Sequence, residues 1–243
     1  MTKNRIQILK EKMLSQPRYV SIEQALIITK TYKQHENEPI ILKRAYALAN
    51  ALRELEIGIE NEELIVGNRT KGVRYGVVFP ESGISWVDRE FETISTRKQD
   101  KFLVRDEDIK IFREQIVPYW KGKSLEDVIK QNFGKEISAI NKVVKINQTD
   151  HAQGHICPNV EKWLQKGVSG LLEDAQNHYK NADEDKKNFY QAIIIVMKAV
   201  QNFMLRYHDL LIATAKDDEK NRASLIKVAD ICKNISQRPP QTF

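Results

Sequence analysis

The chain has 243 residues, 41% hydrophobic and 30% charged, with a net charge of +6; it is long enough to bury a sizeable core and too apolar to stay disordered. No apolar run approaches the ~20 residues of a membrane span; the richest, Ala192–Leu205, is broken by Lys198, Gln201 and Asn202. Charges scattered through residues 1–14 leave no unbroken apolar region for a signal peptide, and two cysteines build no disulfide framework, so a cytoplasmic protein with reduced thiols is expected.

Residues 1–55 hold ten Lys/Arg against five Asp/Glu, and so carry +5 of the net charge. Lys10, Lys12, Lys30, Lys33, Lys43 and Arg44 are spread among apolar positions. That is the pattern of solvated helix faces, whereas a nucleic-acid binder gathers its charges on one face with aromatics between them. Neither a nucleic acid nor a membrane is an expected partner.

Residues 4–16 and 21–34 have the periodicity of amphipathic helices, separated at Pro17, which cannot continue the first. Ser21 with Gln24 has the form of a capping box. Pro39 opens a third helix with Ile41, Ala45, Leu48, Leu52 and Leu55 on one stripe. Each leucine fully buried there would contribute roughly 1.5–3 kcal/mol. Residues 63–68 and 75–81 are short β-branched or aromatic runs bounded by Gly and Pro, which predicts strands or extended segments. Helices follow over 85–94, 106–121 and 124–132, and 141–147 is predicted as a strand leading into Gly154-His155-Ile156-Cys157-Pro158.

The last hundred residues are predicted as three helices. The first spans 158–181, with Pro158 at the first helical position. After a polar break over 181–188, the second runs from 189 to about 216, with Phe189, Ile193, Val196, Val200, Phe203, Tyr207, Leu210 and Thr214 on one face. The third covers about 218–236 and ends before Pro239. The chain divides into a helical layer 1–60, a mixed segment 61–157 and a helical segment 158–243, predominantly α-helical with a few short strands.

Chemistry-bearing residues cluster at 150–157. Cys157 reads first as a small buried hydrophobe, and His151 as an ordinary loop histidine. His155, between Gly and a β-branched residue, either satisfies a backbone carbonyl or faces a ligand. No metal is expected, because His155 and Cys157 lack a second pair at ligand spacing and Cys232 lies in a helical stretch. Residues 67–76 are glycine-rich and basic but contain no Gly-Lys-Ser/Thr; Arg69 and Arg74 read as turn residues, with anion binding the alternative. Glu81 is expected to pair structurally with a nearby base.

Six segments, Leu64–Asn68, Val78–Glu81, Phe91–Asp100, Gly154–Pro158, Lys166–Leu172 and Arg238–Phe243, together resemble in order and content the glycyl radical enzymes. The likeness is to the branch of glycerol dehydratase and the second formate acetyltransferases. The resemblance implies an α/β barrel of which this chain is the N-terminal, incomplete portion. In that family a glycyl radical, installed by a radical-SAM activating enzyme, oxidises a cysteine to a thiyl radical, which takes a hydrogen atom from the substrate. The thiyl cysteine lies in a Gly-Cys-x-Glu context, but Cys157 follows Ile156 and Cys232 follows Ile231, and no Arg-Val-Thr/Ser-Gly-Tyr segment is present. The resemblance therefore implies no catalytic residue, no bound cofactor and no glycyl radical in these residues, and a chain inactive alone.

One residue carries over: the histidine of the Gly-His-Thr/Ile-Cys-Pro loop, which hydrogen-bonds a substrate hydroxyl, is His155 here. Authentic pyruvate formate-lyases carry a carboxylate-binding arginine in that loop, absent from this one. A dehydratase or lyase acting on a small hydroxylated substrate is implied, with a formate C-acetyltransferase-like fragment as the alternative. The implied partners are that substrate, the activating enzyme, the C-terminal half of a split enzyme and further copies of the chain. A non-catalytic helical binding module is the competing reading of another class, and a helical nucleic-acid binder resting on the basic first quarter is a third.

Overall fold

The computed structural model describes residues 4–144 and 157–241. In chain order the elements are α1 (Arg5–Ser15), β1 (Tyr19–Ser21), α2 (Glu23–Gln34), α3 (Ile40–Glu54), β2 (Tyr75–Val77) and α4 (Ser85–Glu90). They continue with a 3-10 turn (Ile94–Thr96), α5 (Asp106–Ile111), a π-helical turn (Phe112–Ile116), α6 (Val117–Trp120), α7 (Leu125–Ile140), α8 (Val160–Lys180), α9 (Glu184–Asp217) and α10 (Arg222–Gln237). The chain is predominantly helical, with two short strands among the described residues, as its periodicities predict. It folds as two units. One comprises Met1–Gln16, Lys30–Val73 and Pro158–Phe243; the other, Pro17–Thr29 and Arg74–Cys157.

The first unit is built around α9, which packs against α3, α8 and α10. Tyr207, Leu211 and Ala215 of α9 meet Leu225, Ala229 and Cys232 of α10 in one apolar cluster, and Ala192 joins Leu42 and Ala45 of α3 in another. Because α9 is covered from several directions, its buried residues do not follow the single stripe expected from the sequence. Of that stripe only Tyr207 is fully buried, and Phe189 is 51% exposed. On α3, likewise, Leu48 is exposed, while Ala45, Ala47, Ala49 and Ala51 are buried. The stretch expected as a polar break is largely helical, since α9 starts at Glu184. Glu184 and Asp185 lie in its first turn, where acidic side chains complement the positive end of the helix.

Helix ends in this unit are closed by side chains. Asn4 and Gln7 cap α1 reciprocally, Asn4 Oδ1 accepting from the Gln7 amide at 2.9 Å and Gln7 Oε1 from the Asn4 amide at 3.1 Å. At the far end of α3, Arg206 donates from Nη1 to the Leu52 carbonyl (2.6 Å) and from Nη2 to the Leu55 carbonyl (2.7 Å). These are carbonyls that a helix terminus leaves without an intrahelical donor.

In the second unit β1 and β2 pair in parallel, Tyr19 opposite Tyr75, Val20 opposite Gly76 and Ser21 opposite Val77. Leu103 extends the other edge of β1, donating to the Arg18 carbonyl (2.7 Å) and accepting from the Val20 amide (2.9 Å). Sequence reasoning treats residues 16–20 as a mere break. A three-residue strand has too short an alternation to be seen, and its pairing comes from residues more than fifty positions away. Residues 63–68, by contrast, are not paired as a strand.

Phe112, Ile116 and Trp120 are buried in this unit. The Trp120 indole N–H donates to Thr29 Oγ1 (2.8 Å), whose hydroxyl donates to the Ala25 carbonyl (2.6 Å). Between α5 and α6 the helix widens to a π turn, the Val117 amide bonding back to the Phe112 carbonyl. Pro118, which follows immediately, has no N–H to donate, and a register shift is one way a helix absorbs that loss.

α7 begins at the expected Ser124, whose Oγ accepts from the Asp127 amide (3.3 Å), but runs on to Ile140 with a kink at Phe133. The strand expected over 141–147 is not formed in its described part. The amides of Asn141, Val143 and Val144 bond back to the carbonyls of Ile137 and Ile140, prolonging the helix as a turn. Local bonds already available from α7 outweigh the β propensity of two valines.

Candidate functional site

His155, the residue expected to meet a substrate, lies outside the described residues, as do Asp150, His151, Gly154 and Ile156. The site is therefore built from the chain that carries this loop into α8. Cys157, Pro158 and Asn159 are all exposed. Asn159 caps α8, its Oδ1 accepting from the Lys162 amide at 3.0 Å. Pro158 thus precedes the cap instead of occupying the first helical position. Asparagine, with a side-chain acceptor that proline lacks, takes the cap.

Cys157 is exposed, contrary to its reading as a buried hydrophobe. Cys232 is buried in the α9–α10 cluster, and burial pushes its thiol pKa up.

α8 consists of two helical pieces meeting at Gly167, whose φ of 60° and ψ of −175° lie in a region essentially reserved for glycine. A Cβ at this position would sit 2.8 Å from both N and Cα of Pro239 and 3.1 Å from the Arg238 carbonyl carbon. Two of the six marker segments, Lys166–Leu172 and the described part of Arg238–Phe243, are thereby packed together. A polar knot seals the contact. Gln201 donates to Ser169 Oγ (3.0 Å) and to the Ser236 carbonyl (2.9 Å), and Ser169 Oγ donates to the same carbonyl (3.2 Å). Sequence reasoning marked both segments and missed Gln201, which carries no signal beyond a polar residue in an apolar helix.

Two further markers contribute backbone groups to the scaffold. Asn68 offers its carbonyl to the Tyr207 hydroxyl (3.2 Å), and burial raises the pKa of that phenol. The Glu81 carbonyl accepts from the Leu125 amide (2.9 Å), which fixes the start of α7. In the basic loop, Lys71 pairs with Glu56 at 2.5 Å, and that bond raises the lysine pKa.

Two concavities are lined by described residues. One, of about 280 Å³, is lined by Arg5, Glu60, Glu62, Glu63, Asp218 and Asn221 among others. Its charges are mutually satisfied. Arg5 Nε donates to the Glu62 carbonyl (2.7 Å), Lys12 pairs with Glu60, Lys220 with Glu62, and the Asn221 side chain donates to Asp218 (2.9 Å), which lowers that aspartate's pKa. The other, a shallow hollow of about 440 Å³, is lined by Asp106, Ile109, Lys110, Arg113 and Glu114. Arg113 there binds Asp88 at 2.6 Å and Glu92 at 2.9 Å. Among the described residues no group of three or more His, Cys, Asp or Glu side chains is assembled for a metal ion, and no helix is long and apolar enough to cross a membrane.

The family described as pyruvate formate lyase-like matches residues 1–243. A probable dehydratase, YbiW of Escherichia coli K12, is 31% identical over 92% of this chain and 29% of its own length. The (2S)-3-sulfopropanediol dehydratase of Klebsiella oxytoca is 27% identical over 98% of this chain and 31% of its own. The glycerol-bound B12-independent glycerol dehydratase of Clostridium butyricum superposes on all of this chain with a TM-score of 0.92 and 29% identity, over 32% of that protein. Isethionate sulfite-lyases are among the other relatives. The chain spans about a third of the length of the relatives it matches.

Proposed function

The chain belongs to the pyruvate formate lyase-like family of glycyl radical enzymes, and from that premise we propose that it serves in a dehydratase or lyase acting on a small hydroxylated molecule. The observation that carries this reading is the match of the whole chain to a glycerol dehydratase at a TM-score of 0.92. His155 is the residue we assign to the substrate, as donor or acceptor to a hydroxyl. A departing hydroxyl needs a partner that can share a proton near neutral pH, and an imidazole does so. A carboxylate substrate would call for the forked donors of an arginine, and residues 150–158 contain none.

The 243 residues contain neither a Gly-Cys-x-Glu segment nor an Arg-Val-Thr/Ser-Gly-Tyr segment. The hydrogen-atom chemistry is therefore assigned to polypeptide beyond them, with a radical-SAM activating enzyme as the protein that would install the radical. When present, that radical supplies abstraction of a substrate hydrogen; this chain's contribution is to hold and polarise the hydroxyl.

The test joins this chain to the unmatched part of the C. butyricum enzyme and activates the product anaerobically. Dehydration of a small diol is expected, and His155→Ala should lower its rate by about 10²–10⁴-fold, the range of general acid–base groups. Turnover of pyruvate with coenzyme A, indifferent to His155→Ala, would overturn the reading in favour of a formate C-acetyltransferase.

A further inference from the structure

The first piece of α8 stands apart from everything else described in its unit. Every residue from Cys157 to Lys166 is exposed, and burial begins at Gly167. At about 100° per residue, Val160, Trp163 and Leu164 fall within one arc, while Glu161, Lys162, Gln165 and Lys166 occupy the opposite face. The segment is amphipathic, yet its apolar side faces water, with Val160 at 54%, Trp163 at 39% and Leu164 at 55% exposure.

A seven-residue helix in this position cannot hold itself. Helices shorter than about 12–15 residues are marginal in water, and the break at Gly167 denies this one the cooperativity of the longer piece. The Asn159 cap contributes about 1 kcal/mol, too little to offset the ordering of seven residues at roughly 1–2 kcal/mol each. Its C-terminal end is nonetheless clamped by the Gly167–Pro239 contact and the Gln201 knot. An amphipathic, uncovered helix with a clamped base is the form of a docking element.

We propose that the Val160–Trp163–Leu164 stripe docks against the polypeptide that corresponds, in the glycerol dehydratase-type relatives, to the part of their chain beyond the matched third. Length favours this occupant. The same fold, superposing over all of this chain, accounts for only 32% of the glycerol dehydratase protein. Burying three large apolar side chains, at roughly 1.5–3 kcal/mol each, supplies the stabilisation that the isolated helix lacks. This inference rests on the proposed function and deepens it by naming the surface through which the substrate loop is set against the rest of the enzyme.

The experiment mixes this chain with the unmatched part of the C. butyricum glycerol dehydratase, made as a separate polypeptide, and follows amide hydrogen exchange by mass spectrometry. A single polypeptide joining the two is measured in parallel, so that poor folding of the separate part does not void the result. Residues 160–166 should exchange quickly in the chain alone. They should slow by roughly tenfold or more in the joined protein and in any complex, and Leu164→Glu should abolish the slowing. Leu164 is exposed, so that variant should leave the rest of this chain's exchange unchanged.

Fast exchange of 160–166 in a joined protein that is otherwise protected overturns the proposal. So does protection in the chain alone that grows with its concentration and vanishes in Leu164→Glu, which assigns the stripe to a second copy. The readout does not depend on turnover. Protection without diol dehydration leaves the docking intact and removes the proposed function; dehydration with 160–166 unprotected does the reverse.

Discussion

Gly167 and Pro239 meet backbone to backbone, so closely that a single added carbon on Gly167 would lie 2.8 Å from two Pro239 atoms. The contact ties α8, the helix that follows His155 in the chain, to the segment in which α10 ends. Any side chain at 167 must also adopt a φ of 60° with an extended ψ, which costs about 1–3 kcal/mol before the clash is counted.

Gly167→Ala should therefore destabilise the chain by about 2–4 kcal/mol, adding the strain of overpacking to that of the backbone. At Gly170 an added Cβ meets only the Lys166 side chain, with its Cβ at 3.0 Å, and no left-handed backbone is required. Gly170→Ala should change stability by no more than about 1 kcal/mol, the gain in helix propensity offsetting the tight contact. Urea midpoints of the two variants check the contrast, and equal losses would remove the special role of Gly167.

Arg206 should be a stability residue that lysine cannot replace. Its fork serves the Leu52 and Leu55 carbonyls together, a geometry that a single ammonium does not reproduce. Arg206→Met should cost about 2–4 kcal/mol, from charged hydrogen bonds of about 1.5–3 kcal/mol each and their partial replacement by water. Arg206→Lys should recover less than half of that, as read by thermal or urea unfolding.

Glu63 gives stability a pH dependence of definite sign. Burial raises its pKa above the ordinary carboxylate value, against the lowering effects of Asn68 and Lys12. A carboxyl whose pKa is raised on folding contributes stability that is fully present below the unfolded pKa and lost as pH rises through the folded one. Glu63→Gln removes the charge and keeps one acceptor oxygen, for either the Glu60 amide or the Asn68 side chain, which bond to different carboxylate oxygens. The stability of the variant relative to the parent should rise as pH is raised from about 4 to 7. A parent that gains on the variant as pH rises would contradict this sign.

The two thiols should react in separate phases. Cys157 is exposed and should be modified by an aromatic disulfide on mixing, whereas Cys232 is buried, with its thiol held protonated by burial. One equivalent should appear quickly and the second at the rate of unfolding of α10. Two fast equivalents would mean that the α9–α10 cluster opens readily.

The sequence by itself determined the helical character, the six-segment family signature and the boundaries that have a local chemical cause. Ser124 starts α7 because its hydroxyl can accept a backbone donor, and α10 ends before Pro239 because proline cannot extend it. The marker segments were likewise readable as strings, and with them the family. What only the tertiary structure decided are the relations among distant residues. Which face of α9 is buried depends on three helices packing around it, so the regular stripe of Phe189 and Leu210 misled where Ala192, Ala199 and Leu211 are buried. The pairing of Tyr19 with Tyr75 depends on a partner strand, and three residues hold too little alternation to announce it. The role of Gly167 lies in the backbone of Pro239, 72 positions further on, and no local pattern encodes a contact at that separation.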